Sequence, residues 1–195
     1  MLTFDKEQIT DQIDLLPKRL RLTFAAACAQ RQLPNYIRTS AANPIGNPEA
    51  VTRILRELWG SIEQNVFELG KLRRDLDLCD ALTPSRDTEW FSGSGFAQRA
   101  LLSLAYALDT ALSGRSEDAM WAAYCACEAL EKYITERFAV DDASIDSVPI
   151  MQAELSRQQT DLMELRAASK TPSNEVAVVA RIKRRAESDA SSFFG

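Results

Sequence analysis

The chain has 195 residues, of which 46% are hydrophobic and none is histidine, and its formal net charge at pH 7 is −5. The lack of histidine excludes a Ser-His-Asp triad, a Cys-His pair and an imidazole metal ligand within the chain. The acidic balance argues against nucleic-acid binding, since phosphate binding needs a concentrated positive surface. The residues after position 100 carry the whole acidic excess, which favours a soluble surface or a basic partner.

The start of the chain and its cysteines bear on the cellular compartment. The first seven residues show no basic start followed by an apolar stretch, so no secretory signal is visible. The longest apolar run, 101–112, is interrupted by Asp109 and is too short to span a bilayer. Four cysteines lie scattered among apolar residues, a pattern typical of reduced thiols rather than of a zinc site. We therefore expect a cytoplasmic protein with no membrane contact, no metal and no cofactor.

Apolar residues at three- and four-residue steps predict helices along the whole chain. In chain order the predicted helices cover residues 5–16, 18–33, 35–42, 49–65, 68–82, 96–113, 117–138, 149–168 and 174–190. The break at Pro34 is expected because proline disfavours helical geometry at Leu33 and forces a corner. The second helix carries Cys28 and Arg31 on a largely apolar stripe. The segment 141–147 reads as an acidic linker.

The clearest local structure is an antiparallel hairpin of helices over residues 96–138. Gly114 suits a left-handed end of the first helix, and Ser116 caps the second helix, which has acidic residues in its first turn. The start of that second helix is apolar on all sides, which predicts a central position. No strand pattern is visible. The sequence therefore predicts one all-α domain over 1–195, a bundle of seven to nine helices around this hairpin, with 148–195 as a C-terminal helical pair.

Several short motifs follow one another in an order typical of one bacterial family. They are Arg21-Leu22-Thr23-Phe24, Gln30-Arg31, Pro34-Asn35-Tyr36, Arg53-Ile54-Leu55-Arg56-Glu57-Leu58-Trp59, Pro84-Ser85, Asp87 and Leu112-Ser113-Gly114. On these residues the chain resembles the family catalogued as domain of unknown function 416. The resemblance runs from about residue 20 to 138 and is weak beyond that. It implies a small, helical, cytoplasmic bacterial protein, and it assigns no activity and no catalytic residue.

Acidic residues recur in pairs three apart on the predicted helices. The pairs are Glu128/Glu131, Asp161/Glu164, Asp77/Asp80 and Asp11/Asp14. This spacing stacks two carboxylates on one helix face, as helical Mg²⁺-dependent hydrolases require. With 28 acidic residues in the chain, several such pairs are expected by chance. Solvated helix faces are therefore the favoured interpretation, and a Mg²⁺-dependent hydrolase that uses clustered Asp and Glu is an alternative.

Asp109 is a candidate functional acid because it shares a stripe with apolar residues of the first hairpin helix. A buried carboxylate needs a partner or a raised pKa, which is how active-site acids behave. The favoured interpretation is a surface acid near the end of the hairpin. In an ideal hairpin, Asp109 lies opposite Trp121. Glu128 and Glu131 then lie near Arg99, where we expect an ion pair.

A second candidate site combines the corner residues Asn35, Tyr36 and Arg38 with Asp87 and Trp90 of the long irregular loop. Hydrogen-bonding groups beside aromatic rings suit a small-molecule cleft, so a binder with a pocket near Tyr36 is another alternative. The favoured interpretation is structural, with Asn35 capping a new helix and Tyr36 packed into the core.

The leading functional prediction is a non-enzymatic protein-interaction module with an unknown protein partner, plausible also as a homodimer. It depends on the lack of histidine, of a glycine-rich phosphate loop and of a nucleophile with an evident base. The basic run 181–185 and the terminal Phe193 and Phe194 are candidate contact points, and the sequence leaves their role open.

Overall fold

The computed structural model describes residues 1–42, 46–83, 94–138 and 142–192 of the chain. Within these residues the fold is helical and contains no strand, which confirms the all-α prediction. The helices are α1 (Lys6–Asp14), α2 (Lys18–Ala42), α3 (Pro48–Gln64), α4 (Leu69–Leu82), α5 (Ser94–Ser113), α6 (Ser116–Phe138), α7 (Pro149–Ser169) and α8 (Glu175–Ser192). Apart from one fusion of two predicted helices, predicted and observed ends agree to within two residues.

The centre of the bundle is formed by α2, α5 and α6, which pack through small side chains. The buried alanines of these helices include Ala25, Ala26, Ala27, Ala107, Ala111, Ala122, Ala123 and Ala126. Small side chains allow helix axes to approach closely, and the Ser103 hydroxyl donates to the Ala122 carbonyl at 2.9 Å between α5 and α6. Gly114 ends α5 with a φ of +75°, as the sequence predicts. The central hairpin of α5 and α6 is confirmed, and α2 packs with it at the centre of the bundle.

The predicted corner at Pro34 is wrong, because α2 continues through Pro34 as one helix. Proline inside a helix removes one hydrogen bond and clashes with the preceding turn, at a cost of about 3 kcal/mol or more. The residues beyond Pro34 are nevertheless held in place by packing. Tyr36 is 2% exposed, and its hydroxyl accepts a hydrogen bond from the backbone N–H of Asn47 at 2.9 Å. Tertiary packing therefore outweighs the local preference of proline.

Basic side chains at the start of α2 hold several helix ends together at one end of the bundle, which we call the base. Arg19 donates to the carbonyls of Ile62 and Glu63, in the last turn of α3, at 2.8 and 3.0 Å. Arg21 donates to the Gly114 carbonyl at 2.9 Å and to two carbonyls at the end of α1. Cations placed at helix C-termini satisfy unpaired carbonyls and favour the helix dipole. The base therefore fixes α1, α3 and α5 relative to α2.

The C-terminal helices α7 and α8 pack on α2 and on each other. Leu165 of α7 and Ile182 of α8 belong to the same buried cluster as the residues of α2. Residues Asp142–Ser147, predicted as an acidic linker, form a short 3-10 helix instead. None of the helices in the described ranges is both long and apolar enough to serve as a membrane span. The description of 1–195 as one domain, with 148–195 as a C-terminal pair, stays a prediction that this shared core supports.

Candidate functional site

The polar groups of the predicted site around Tyr36 are used within the fold. The Tyr36 hydroxyl is bonded to Asn47, and Gly46 lies so close that an added Cβ would come within 2.7 Å of the hydroxyl oxygen. Asn35 donates to the Gln32 side-chain oxygen at 2.7 Å within the same helix, so it does not cap a new helix. Arg38 lies on the exposed side of α2. This arrangement matches the structural interpretation of the three residues.

The other half of that predicted site, Asp87 and Trp90, lies outside the described residues, as do Phe193 and Phe194. Asp109 lies near the base, at the end of the bundle where α2 begins with Lys18. Tyr36 is 18 residues farther along α2, and these 18 residues span about 27 Å. The structure therefore does not bring Asp109 to Tyr36, and ligand binding at Tyr36 stays a prediction.

Several of the paired carboxylates predicted as metal ligands form ion pairs with basic side chains. Asp161 accepts from Arg31 at 2.9 Å and from Arg185 at 2.5 Å, and Glu164 pairs with Arg185 at 2.7 Å. Glu128 pairs with Arg99 at 3.0 Å, which confirms the ion pair predicted from the hairpin. Among the described residues no group of three or more metal-ligating side chains is found. The Mg²⁺-dependent hydrolase stays a prediction.

A buried polar network joins α2 to α7 at the centre of the protein. The Arg31 guanidinium donates to Glu154 from Nε and Nη2, at 2.9 and 3.0 Å, and to Asp161 from Nη1 at 2.9 Å. Gln158 donates to Glu154 at 2.9 Å, and the Cys28 sulfur accepts from Arg31 at 3.4 Å. Positions 154, 158 and 161 share one face of α7, which therefore presents a polar stripe to the core.

The charges of this network are almost completely withdrawn from water. The side chains of Arg31, Glu154 and Asp161 are each at most 1% exposed. Burial alone would lower the pKa of Arg31, but the charges of Glu154 and its neighbours raise it well above its ordinary value, so the guanidinium stays charged. Burial raises the pKa of the Cys28 thiol, and Arg31 only partly opposes that effect. The thiol is therefore protonated and unreactive, and the network is a structural lock between α2 and α7.

Four aromatic rings cluster on the surface of α6 beside the N-terminal segment. Trp121 and Tyr124 stand at 78° to each other with centroids 5.5 Å apart, and they form a corner. Tyr106 of α5 stacks on Trp121 at 6.0 Å, and Phe4 packs on Tyr124 at 5.4 Å. The ammonium of Lys6 lies over both rings of the corner, 4.4 Å from the Trp121 centroid and 3.7 Å from that of Tyr124. We call these four rings the aromatic corner.

Asp109 lies at the edge of the aromatic corner, one helical turn from Tyr106. It is half-buried, and burial raises its pKa, with Asp118 and Asp80 adding to the effect and Arg115 opposing it. Burial also raises the pKa of Tyr106, and the charge of Asp109 contributes to the rise. The candidate acid predicted from sequence therefore lies within electrostatic reach of the Tyr106 hydroxyl.

The base carries four large apolar side chains that lie mostly in water. Their exposed fractions are 58% for Leu15, 66% for Val66, 52% for Leu69 and 62% for Val176. Leu15 follows α1, Val66 and Leu69 lie in the turn between α3 and α4, and Val176 lies at the start of α8. Arg19 contacts both the end of α3 and Glu175, and Arg21 contacts the end of α1, so the start of α2 holds these three segments. An apolar rim of this kind is a feature of contact surfaces.

A model of the family described as protein of unknown function, DUF416, matches residues 8–195 of the chain. The chain belongs to the DUF416 family. The crystal structure of a DUF416 family protein from Shewanella baltica OS155 is 20% identical in sequence, with a TM-score of 0.76, and the likeness covers 91% of this chain and 92% of that one. At that identity the likeness establishes the fold alone. A comparison with curated proteins gives no match.

The resemblance predicted from the motifs is therefore confirmed, and the DUF416 match also spans α7 and α8, where the motifs are weak. The carboxylates that hold Arg31 lie in this part of the chain. Sequence reasoning named Asp161 only in the pair with Glu164 and did not name Glu154, although Glu154, Gln158 and Asp161 stand at steps of four and three residues, which place them on one helix face. Phe4 and Lys6 of the aromatic corner precede the matched residues.

Proposed function

We propose that this DUF416 protein is a non-enzymatic interaction module of the bacterial cytoplasm, and that its base binds the base of a second copy. The observation that carries the proposal is the apolar rim formed by Leu15, Val66, Leu69 and Val176. When a partner covers large apolar side chains that are more than half exposed to water, their burial stabilises the complex.

The charges around the base support a second copy as the partner. In a two-fold interface each patch meets its own image, so charged groups of both signs beside the rim can pair across the interface. Lys18 is exposed at the start of α2, and Glu68, whose side chain is 71% exposed, precedes α4. A cation and an anion are thus available beside the same apolar rim. A like-charged rim would instead repel its own copy.

The test is the mass of the particle in solution, measured by light scattering over a concentration series from micromolar upward. We expect twice the chain mass of 21.7 kDa for the natural sequence. The double substitution Val66→Asp with Val176→Glu should give the single-chain mass, because it places charges inside the apolar rim. Phe138→Lys is the matched control, since Phe138 is 54% exposed at the far end of α6. A natural chain that is monomeric throughout, or a double variant that remains dimeric, would overturn the proposal.

A further inference from the structure

The aromatic corner contains a cation that the protein supplies from its own chain, the ammonium of Lys6. We propose that the corner is a binding site for a trimethylammonium group, and that Lys6 occupies it as a replaceable internal substitute when no ligand is bound. The inference is independent of the dimer proposed for the base, because it depends on the rings of the corner and on Lys6 and not on the apolar rim.

The geometry of the corner fits a rounded cation. The faces of Trp121 and Tyr124 stand almost at a right angle, so a group placed in the corner contacts two ring faces at once. Lys6 demonstrates the position, since its nitrogen lies within 4.4 Å of both centroids. Ring faces carry the negative part of the aromatic quadrupole, and paired Trp and Tyr faces are the way in which proteins bind quaternary ammonium ions. Tyr106 stacks on Trp121 and Phe4 packs on Tyr124, and these contacts hold the two rings in place.

The chemistry of the corner favours a methylated ammonium over a primary one. A primary ammonium has three N–H donors that need acceptors, whereas a trimethylammonium group has none. Among the described residues no carboxylate oxygen lies within 4.0 Å of the Lys6 nitrogen, so the ring faces are its partners there. A trimethylammonium group loses less hydration than Lys6 does when it enters the corner.

Lys6 is placed so that it can leave the corner without disturbing the core. It is the first residue of α1, a helix of nine residues in which only Ile13 is buried. The side chain of Lys6 is long and its residue is exposed, so a rotation of the side chain is enough to open the corner.

The test is a nuclear magnetic resonance titration that follows the indole N–H of Trp121, assigned with Trp121→Phe. Two probes carry the proposed group: choline and a short peptide with a trimethyllysine. A response to choline alone identifies a small molecule as the ligand, and a response to the peptide alone identifies a modified protein. The neutral isostere 3,3-dimethylbutan-1-ol is the control for mere apolar contact. We expect saturable shifts with at least one charged probe and none with the isostere.

Variants of the corner make the test specific. Lys6→Gln should tighten binding by about two- to fivefold, the change that corresponds to the loss of one exposed cation–π competitor. Lys132→Gln removes a different exposed lysine from α6 and should leave binding unchanged. Tyr124→Leu should abolish the shifts, and Tyr124→Phe, which keeps the ring, should preserve them. Any one of three results would overturn the proposal. The first is no saturable shift in either the natural chain or Lys6→Gln, the second is an equal response to the isostere, and the third is weaker binding by Lys6→Gln.

Discussion

Replacement of Arg31 by methionine is the most direct test of the buried lock between α2 and α7. Arg31→Met keeps the length and helical preference of the side chain but removes its charge and its donors. Glu154, which has no exposed surface, loses the Arg31 cation, and Asp161 keeps its ion pair with Arg185. Removal of one partner from a buried ion pair typically costs about 3–5 kcal/mol. We expect a loss of that size, which is a large part of the stability of a domain.

The measurement is equilibrium unfolding in urea, followed by far-UV circular dichroism. With a slope of roughly 3 kcal/mol per molar urea, the midpoint should fall by about 1–1.7 M. Arg184→Met is the matched control, because Arg184 is an exposed arginine of α8, and it should move the midpoint little. Arg31→Met combined with Glu154→Met should recover part of the loss, since the unpaired carboxylate is then gone. A shift for Arg31→Met no larger than that of the control would refute the reasoning.

Three further predictions use the same assay. Tyr36→Phe should cost about 1 kcal/mol, because the Asn47 N–H loses its acceptor, and an unchanged midpoint would contradict that role. Gly114→Ala should cost about 1–2 kcal/mol, since φ is +75° and the new Cβ would lie 3.0 Å from Lys18, and a neutral result would show that the turn relaxes. Asp109→Asn should stabilise the protein at pH 7. Burial is the chief cause that raises the pKa of Asp109 in the folded protein above its ordinary value of 3.8. The free energy of unfolding therefore has its full value while Asp109 is protonated at low pH, and it falls as the pH rises and the buried carboxyl ionises. The difference should vanish below pH 3.8, and an equal effect at both pH values would exclude this cause.

The positions of the helices follow from local sequence, because periodicity, capping and turn residues act over a few neighbours. Gly114 and Ser116 define the hairpin turn, and the register that they set places Arg99 beside Glu128 as expected. Pro34 shows the limit of this reasoning. Its effect on the backbone is local, but the burial of Tyr36 depends on residues of other helices, and those contacts decide that α2 continues.

The buried lock could not be predicted from local sequence, because its members are far apart in the chain. Arg31 lies 123 residues from Glu154 and 130 from Asp161. The position of Arg31 on a largely apolar stripe was a signal that the arginine is buried, and a buried charge requires a partner. The sequence does not say which of the 28 acidic residues that partner is, since only the packing of α7 against α2 brings two of them to the guanidinium.

The aromatic corner follows from how side-chain size is distributed around α6. The sequence predicts a central position for the start of this helix because it is apolar on all sides. In the structure the alanines of this stretch are fully buried, where the close packing of the helices leaves no room for a large ring. Trp121 and Tyr124 are only partly buried, and the Lys6 ammonium lies over both rings. The same small residues that make the bundle compact are thus the reason that two ring faces remain available for a cation.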